Sequence, residues 1–372
     1  MGVCRLPQTA SVVLLIASPA LLGQAPPPPN AQVATAAAHN AATESTLPAI
    51  RSSSPSADTG AAKAKEDSAP SHVLFFYTAP RSTVEMEVHT IPPTNEARLD
   101  HLRAAFHSAA CDGNLMQEQP VTDKRAAPGT NLICTWPGDP NAGTIVIAAH
   151  YEQAGKGEGA LADWSGAALL PFLYQAIQGQ PRQNTFIFLE SWKNQGVEIW
   201  LKSISRDQRK RIRAMIDLDA LGLGVTRYFT TFSFMETTPP AALHLQLELL
   251  WAAIDEGLTK PPLATSPHRW LSVDPTDAFR AVMIPTIVIH SVPPESEHLP
   301  GSAEDVAAAV DGNAYFQTYH LMCTYLASLD RMANKLARDD PFWKAVPGHD
   351  PEPDQENPRV TFRQIGGVQK VH

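Results

Sequence analysis

Four short apolar runs punctuate the middle of the chain: TIVIAAH (residues 144–150), TFIFLE (185–190), AMIDLDAL (214–221) and PTIVIH (285–290). Each is long enough for a strand and short for a core helix, and none shows the polar alternation of a strand wetted on one side. Runs of this kind need cover on both faces, which a parallel sheet flanked by helices provides. Helix-forming segments lie between them: WSGAALLPFLYQAIQG, SRDQRKRIR and AALHLQLELLWAAIDEGL. Two β-rich segments, LMQEQPV and NLICTWPG, precede them, and NEARLDHLRAAFHSAA before those is an amphipathic helix with Leu99, Leu102 and Phe106 on one face. The order predicts an α/β fold, with a mostly parallel central sheet, helices on both faces and antiparallel strands at the early edge.

The ends of the chain have a different composition. Residues 1–23 pair Arg5 with an apolar run from Val12 to Ile16 that continues weakly to Leu22. That is the pattern of a signal peptide, too short to span a bilayer, and it predicts export to the periplasm or medium. Residues 24–70, with PPPP and Ser/Pro clusters, lack the apolar content to fold and read as a disordered linker. The expected domain covers residues 71–340, and a polar tail fills 341–372. A net charge of −9 without a basic block interleaved with aromatics argues against nucleic-acid binding. No second apolar span follows the leader, so no membrane span is expected after its removal. Cys111 and Cys134 flank the predicted strand pair and can form a disulfide in an oxidising compartment. Cys323 shares a helical stripe with Phe316, Tyr319 and Leu326 and reads as inert core.

In open α/β sheets, ligands bind outside the carboxyl ends of the strands. There the sequence places His150, Glu190 and Asp219 after the first three runs and His298 in the loop after the fourth, with Asp163 at the start of the first intervening helix. Histidine with carboxylates is an inventory for zinc. Each residue also has a plainer role open to it. Asp163 serves equally as a helix N-cap, with Ser165 as rival, and His298 as an ordinary loop histidine. Asp219, two residues after Asp217 at the end of an apolar run, needs a partner if it is buried.

The order and spacing of these motifs resemble the di-zinc aminopeptidase-like metallopeptidases (peptidase family twenty-eight), which include bacterial exported aminopeptidases and the glutaminyl cyclases. The resemblance runs over residues 95–329, through RLDHLRAAF, NLICTWPGDPNAGTIVIAAHYE, LDALG, and IPTIVIHS followed by EHLPGSAED. It implies the zinc aminopeptidase-like α/β/α sandwich of the phosphorylase/hydrolase type, hydrolysis of N-terminal peptide bonds, a peptide or small amine-bearing substrate, and zinc, of which the family binds two. Carried across, His150 matches the first ligand histidine, Glu152 the acid that orients it, Asp219 the ligand aspartate after the third strand, and His298 the last ligand histidine. The metal-bridging aspartate falls on Ala162, four residues before Gly166. Asp163 is one residue late, and a one-residue deletion in the loop restores it.

Counting back from QGV, the family's adjacent glutamates, general base and zinc ligand, fall on Lys193 and Asn194. Lysine is no base at neutral pH unless strongly desolvated. Asparagine is a poor zinc ligand beside a carboxylate, and an ammonium repels nearby cations. The resemblance therefore implies one zinc or none and an impaired hydrolase. Two alternatives remain open: an active metallopeptidase with Glu190 as its base, although strand alternation aims that residue elsewhere, and a non-catalytic peptide-binding module. Cyclase-type acyl transfer needs the same missing glutamates.

Overall fold

The computed structural model describes residues 76–122, 128–153, 155–179, 181–230, 240–266 and 277–332, with the backbone of 362–365 and 368–371. The chain divides into two compact units, Met1–Asp67 and Ser68–His372, and every described residue belongs to the second. The expected leader, linker and most of the tail lie outside the described residues.

Eight strands form one sheet: β1 (Met116–Val121), β2 (Gly129–Trp136), β3 (Thr144–His150), β4 (Thr185–Ser191), β5 (Ile212–Leu218), β6 (Arg227–Thr230), β7 (Leu263–Ala264) and β8 (Thr286–His290). Their order is β1-β2-β4-β3-β5-β8-β6-β7. The four apolar runs are its centre, β4-β3-β5-β8, and all the pairings among them are parallel. β1 and β2 run antiparallel at the early edge, as expected, and β2 also runs against β4. The far edge differs from expectation, because β6 runs antiparallel to β8 and adds antiparallel pairing there too. A separate two-stranded ribbon pairs β9 (Phe362–Ile365) with β10 (Val368–Val371).

Burial on both faces explains the unbroken hydrophobicity of the central runs. Ile145, Ile147, Ala149, Phe186, Phe188 and Ile216 enter one core. Their neighbours Val146, Ala148, Leu189 and Met215 enter the other, with Val197, Trp200, Leu201 and Phe279. The helices are α1 (Arg81–His89), α2 (Asn95–Ser108), α3 (Ser165–Ala167), α4 (Leu170–Ala176), α5 (Lys193–Ser203), α6 (Arg206–Arg211), α7 (Pro240–Asp255), α8 (Asp277–Ala281) and α9 (Gly312–Met332). No helix among the described residues is long and apolar enough to cross a membrane. α9 packs along α7, where Tyr325 donates to the Leu245 carbonyl.

Two local differences from the sequence pattern matter for the site. β5 begins at Ile212 and closes at Leu218, so Asp219 is the first residue beyond the strand. α2, capped by Thr94, buries Arg98, Leu102 and Phe106, and Leu99 is only partly covered. The helix is thus rotated one position from the expected face and carries an arginine inward. Cys111 and Cys134 are joined in a disulfide, 23 residues apart, tying the end of α2 to β2. A loop of that length contributes about 3 kcal/mol in the chain-entropy account. Cys323 is a free, buried thiol, as expected.

Candidate metal centre

β3 delivers His150 to the carboxyl edge of the sheet, and the chain turns so that Glu152 faces back toward it. Glu152 Oε2 lies 3.5 Å and Asp163 Oδ1 3.4 Å from His150 Nδ1. Asp219 Oδ1 stands 3.6 Å from Nε2 on the other side of the ring. One ligand atom each from His150, Glu152 and Asp163 lies within 4.8 Å of the others, the one such group able to hold a metal ion among the described residues. Glu152, expected only to orient the histidine, stands with His150 and Asp163 among the residues that could hold an ion.

Asp163 reaches this place through an unusual turn. Residues Ala160–Trp164 form a π-helical turn, closed by the Trp164 N–H on the Gly159 carbonyl at 2.8 Å. A π-turn takes in one residue more than an α-turn, so Asp163 meets His150 with no deletion. It is not an N-cap: the turn has no side-chain cap. Ser165 is occupied too, donating to the Leu161 carbonyl and accepting the Leu221 N–H. Two glycines make the geometry possible. Gly159 has φ +63°, and a Cβ there would stand 2.3 Å from Asp163 Oδ2. A Cβ on Gly166 would stand 2.2 Å from the Leu218 carbonyl oxygen, so the turn lies flush on the end of β5.

His298 does not join the group and is exposed. The residue that its loop sends inward is Asp305, fully buried, whose carboxylate accepts the N–H groups of Gly301, Leu161 and Ala162. Once that carboxylate anchors the loop to the π-turn, the histidine is left on its outer side. Burial raises the Asp305 pKa, and the three backbone donors pull it back.

The electrostatics arise from crowding. Glu152, Asp163 and Asp219 are 3–4% exposed and converge on a ring that is 17% exposed. Burial alone would lower the His150 pKa, but Asp163, Asp219 and Glu152 outweigh it and hold it well above the usual range. Burial raises the Asp219 carboxyl, and His150 partly offsets this. His150 Nδ1 and Asp219 Oδ1 are buried without a hydrogen-bond partner, a costly condition for polar atoms. An imidazole nitrogen with carboxylate oxygens suits zinc, and His150, Glu152 and Asp163 could hold a metal ion.

One strand away, the β4–α5 corner is firmly built from other chemistry. Asn131 accepts the Trp192 N–H and donates to the Gly196 carbonyl, clamping the turn. Lys193 opens α5 with φ +55°, a left-handed conformation costly for a side-chain-bearing residue. Its N–H donates to Glu152 Oε2 at 3.1 Å, and its ammonium lies 5.7 Å from the centre of the Trp192 ring. Glu190 is fully buried, and both its oxygens lack a hydrogen-bond partner. Burial pushes its carboxyl well above the usual range, with His150 pulling the other way. It is not part of the metal-capable group. The strand buries it, and burial works against the carboxylate that a base requires.

The pattern of Peptidase family M28 matches residues 131–320, from β2 into α9, a span that contains the whole His150 group. The chain belongs to peptidase family M28. No curated protein matches it in sequence. Among solved structures it is similar to the Legionella pneumophila LapA aminopeptidase, at 14% identity and a TM-score of 0.53, over 68% of this chain and 71% of that one. It is also similar to an Acidobacteriales bacterium glutaminyl cyclase, at 18% identity and 0.52, over 68% and 94%. An aminopeptidase from Aneurinibacillus sp. strain AM-1 aligns at 18% identity and 0.45, over 55% and 48%, so the chain spans about half the length of that relative. At these identities the likeness shows the M28-type α/β fold.

Within that fold, three supporting residues lie inside the quoted motifs without having been singled out as part of the site. Asn131 is the single polar residue opening the apolar NLIC run, and Asp305 was legible only as one of the acidic pair, Glu304 and Asp305, that ends EHLPGSAED. Arg98 was hidden by the one-position rotation of α2, although an arginine four residues before Leu102 was its visible trace.

Proposed function

We propose that this M28 protein is exported, holds one zinc ion at His150, Glu152 and Asp163, with Asp219 facing the far side of the imidazole, and binds peptides or small amines there with weak hydrolysis or none. The observation that carries the reading is the β4–α5 corner, where Lys193 and Asn194 stand in place of the family's glutamate pair and Lys193 is bonded through its N–H to Glu152. When bound, zinc supplies Lewis acidity that polarises a carbonyl and acidifies water.

The remaining chemistry falls to the chain's own residues. Glu152 accepts the Lys193 N–H and faces His150, and Asp163 and Asp219 share the same ring. Glu152 is thus committed to the Lys193 N–H, Asp163 and Asp219 face the imidazole at 3.4 and 3.6 Å, and Glu190 is enclosed. A positioned base typically contributes ~10²–10⁴ in rate, and the family's position for it holds Lys193 here. The leader-like residues 1–23 and the Cys111–Cys134 disulfide support export, since disulfides persist in oxidising compartments.

The test uses the purified full-length protein with chromogenic aminoacyl anilides and short peptides. The expected result is peptide binding by calorimetry that depends on zinc, with turnover near background. Robust turnover that a chelator removes would overturn the loss of activity, and binding indifferent to zinc would overturn the site.

A further inference from the structure

Arg98, in the first turn of α2, is 1% exposed. Its Nε donates to the Pro92 carbonyl at 3.2 Å, Nη1 to the Tyr151 carbonyl at 3.0 Å, and Nη2 to the Glu158 carbonyl. The guanidinium carbon lies 5.7 Å from the Trp164 ring centre. These contacts bracket the metal group: Tyr151 sits between His150 and Glu152, Glu158 immediately precedes the Gly159 turn, and Trp164 comes directly after Asp163. Asn95, in the same helical turn, accepts the Gln153 N–H at 2.8 Å. Both neighbours of Glu152 are therefore held by α2.

Four carboxylates act electrostatically on the guanidinium, those of Asp163, Glu152, Asp305 and Glu158. Burial works against its charge and these acids work for it, and arginine remains a cation in proteins. Only a planar fork donates to three carbonyls set in different directions. A lysine ammonium would keep the charge but has neither the reach nor the fixed angles.

We infer that Arg98 is the positioning residue of this site: its fork sets the loops bearing Glu152 and Asp163 at the separation that a dication needs, before any ion arrives. The inference rests on the reading of the His150 group as a metal site. Two accounts of Arg98 predict opposite signs. If only its charge mattered, removing it would tighten binding of a dication, because like charges repel. If its geometry matters, removing it loosens binding, and outer-shell partners of metal ligands typically contribute ~10–100-fold in affinity.

The experiment titrates Co²⁺ into metal-free full-length protein, read by calorimetry and by the visible cobalt absorption, well below the melting temperature. It compares the unmodified chain, Arg98→Lys, Arg98→Met and His150→Ala. The expected result is ~10-fold or greater weakening in Arg98→Lys, more in Arg98→Met, and a changed absorption band in both, in line with outer-shell losses. Arg98→Lys keeps the stem and the charge, so it decides the matter alone if Arg98→Met does not fold. An Arg98→Lys protein with unchanged affinity and band, even at a lower melting temperature, would overturn the inference and leave Arg98 a fold-stabilising residue only. An unmodified chain that takes up no cobalt would overturn the metal reading and this inference with it. Affinity that is lost in His150→Ala and kept in Arg98→Lys would sink the Arg98 inference alone.

Discussion

At the end of β3, His150, Glu152 and Asp163 stand within 4.8 Å of one another, and the π-turn, Asp305 and Arg98 hold the surrounding loops in place. At the end of β4, its neighbour in the sheet, Trp192 and Lys193 occupy the corner with an indole and an ammonium. Both corners are well ordered in bonding terms: Asn131 clamps the second as firmly as Asp305 anchors the first. The difference is chemical. The β3 corner gathers negative charge that needs a cation, whereas the β4 corner supplies a cation that discourages a second one. On the proposed reading, function is altered there by side-chain replacement on an intact backbone, which makes the comparison open to test by replacing the side chains back.

The largest expected effect is on the β3 corner. His150→Ala removes the only nitrogen donor of the group and leaves three carboxylates to repel one another. Zinc affinity should fall by more than the ~100-fold upper range of outer-shell losses, measured by competition with a chromogenic chelator. Unchanged affinity would dissolve the contrast, since the metal would then lie elsewhere.

Next comes repair of the β4 corner. Lys193→Glu with Asn194→Glu restores an acid pair at the start of α5 and should raise chelator-sensitive release of N-terminal residues by ~10²-fold, the lower range for a positioned base. Lys193→Glu alone should recover less, because residues acting as one catalytic unit are not additive. Strong turnover in the unmodified chain, abolished by Glu190→Gln and untouched by Lys193→Ala, would show that the β4 corner was never impaired.

The smallest effect concerns Glu190, which lies between the two corners. Its folded pKa is raised above the unfolded value of about 4.3, so its contribution to stability is fully present below that value and is lost as pH rises through the folded pKa. Glu190→Gln cannot ionise. In chelator, the variant should melt a few degrees above the unmodified chain at pH 8, with the gap closing toward pH 4, given that ~1 kcal/mol moves a domain of this size by ~2–4 °C. A gap independent of pH would mean that Glu190 does not carry this proton linkage.

The sheet centre was legible because four runs buried on both faces leave an unmistakable pattern, and β3 matched its predicted limits residue for residue. Peripheral β6 and β7 were not, since strands of four and two residues carry too few side chains to show a period. At the site, His150 and Asp219 were readable as polar ends of apolar runs. Asp163 was displaced in register because a π-turn has no sequence period of its own. His298 misled because a histidine after the last central strand looks the same in sequence whether it faces in or out. The outcome was set by Asp305, seven residues later, whose carboxylate fastens the loop. Glu152 was read as a helper because its distance from a metal position depends on how the chain turns after Tyr151, and Arg98 and Asn95 fix that turn from far away in sequence.

The most direct test of the one-cation account is the zinc content of the full-length protein, equilibrated with excess zinc, freed of loosely held ions and weighed intact by native mass spectrometry beside His150→Ala. The account predicts one zinc per chain in the unmodified protein and none in the variant. Two tightly held zinc ions, or one that survives loss of His150, would contradict it.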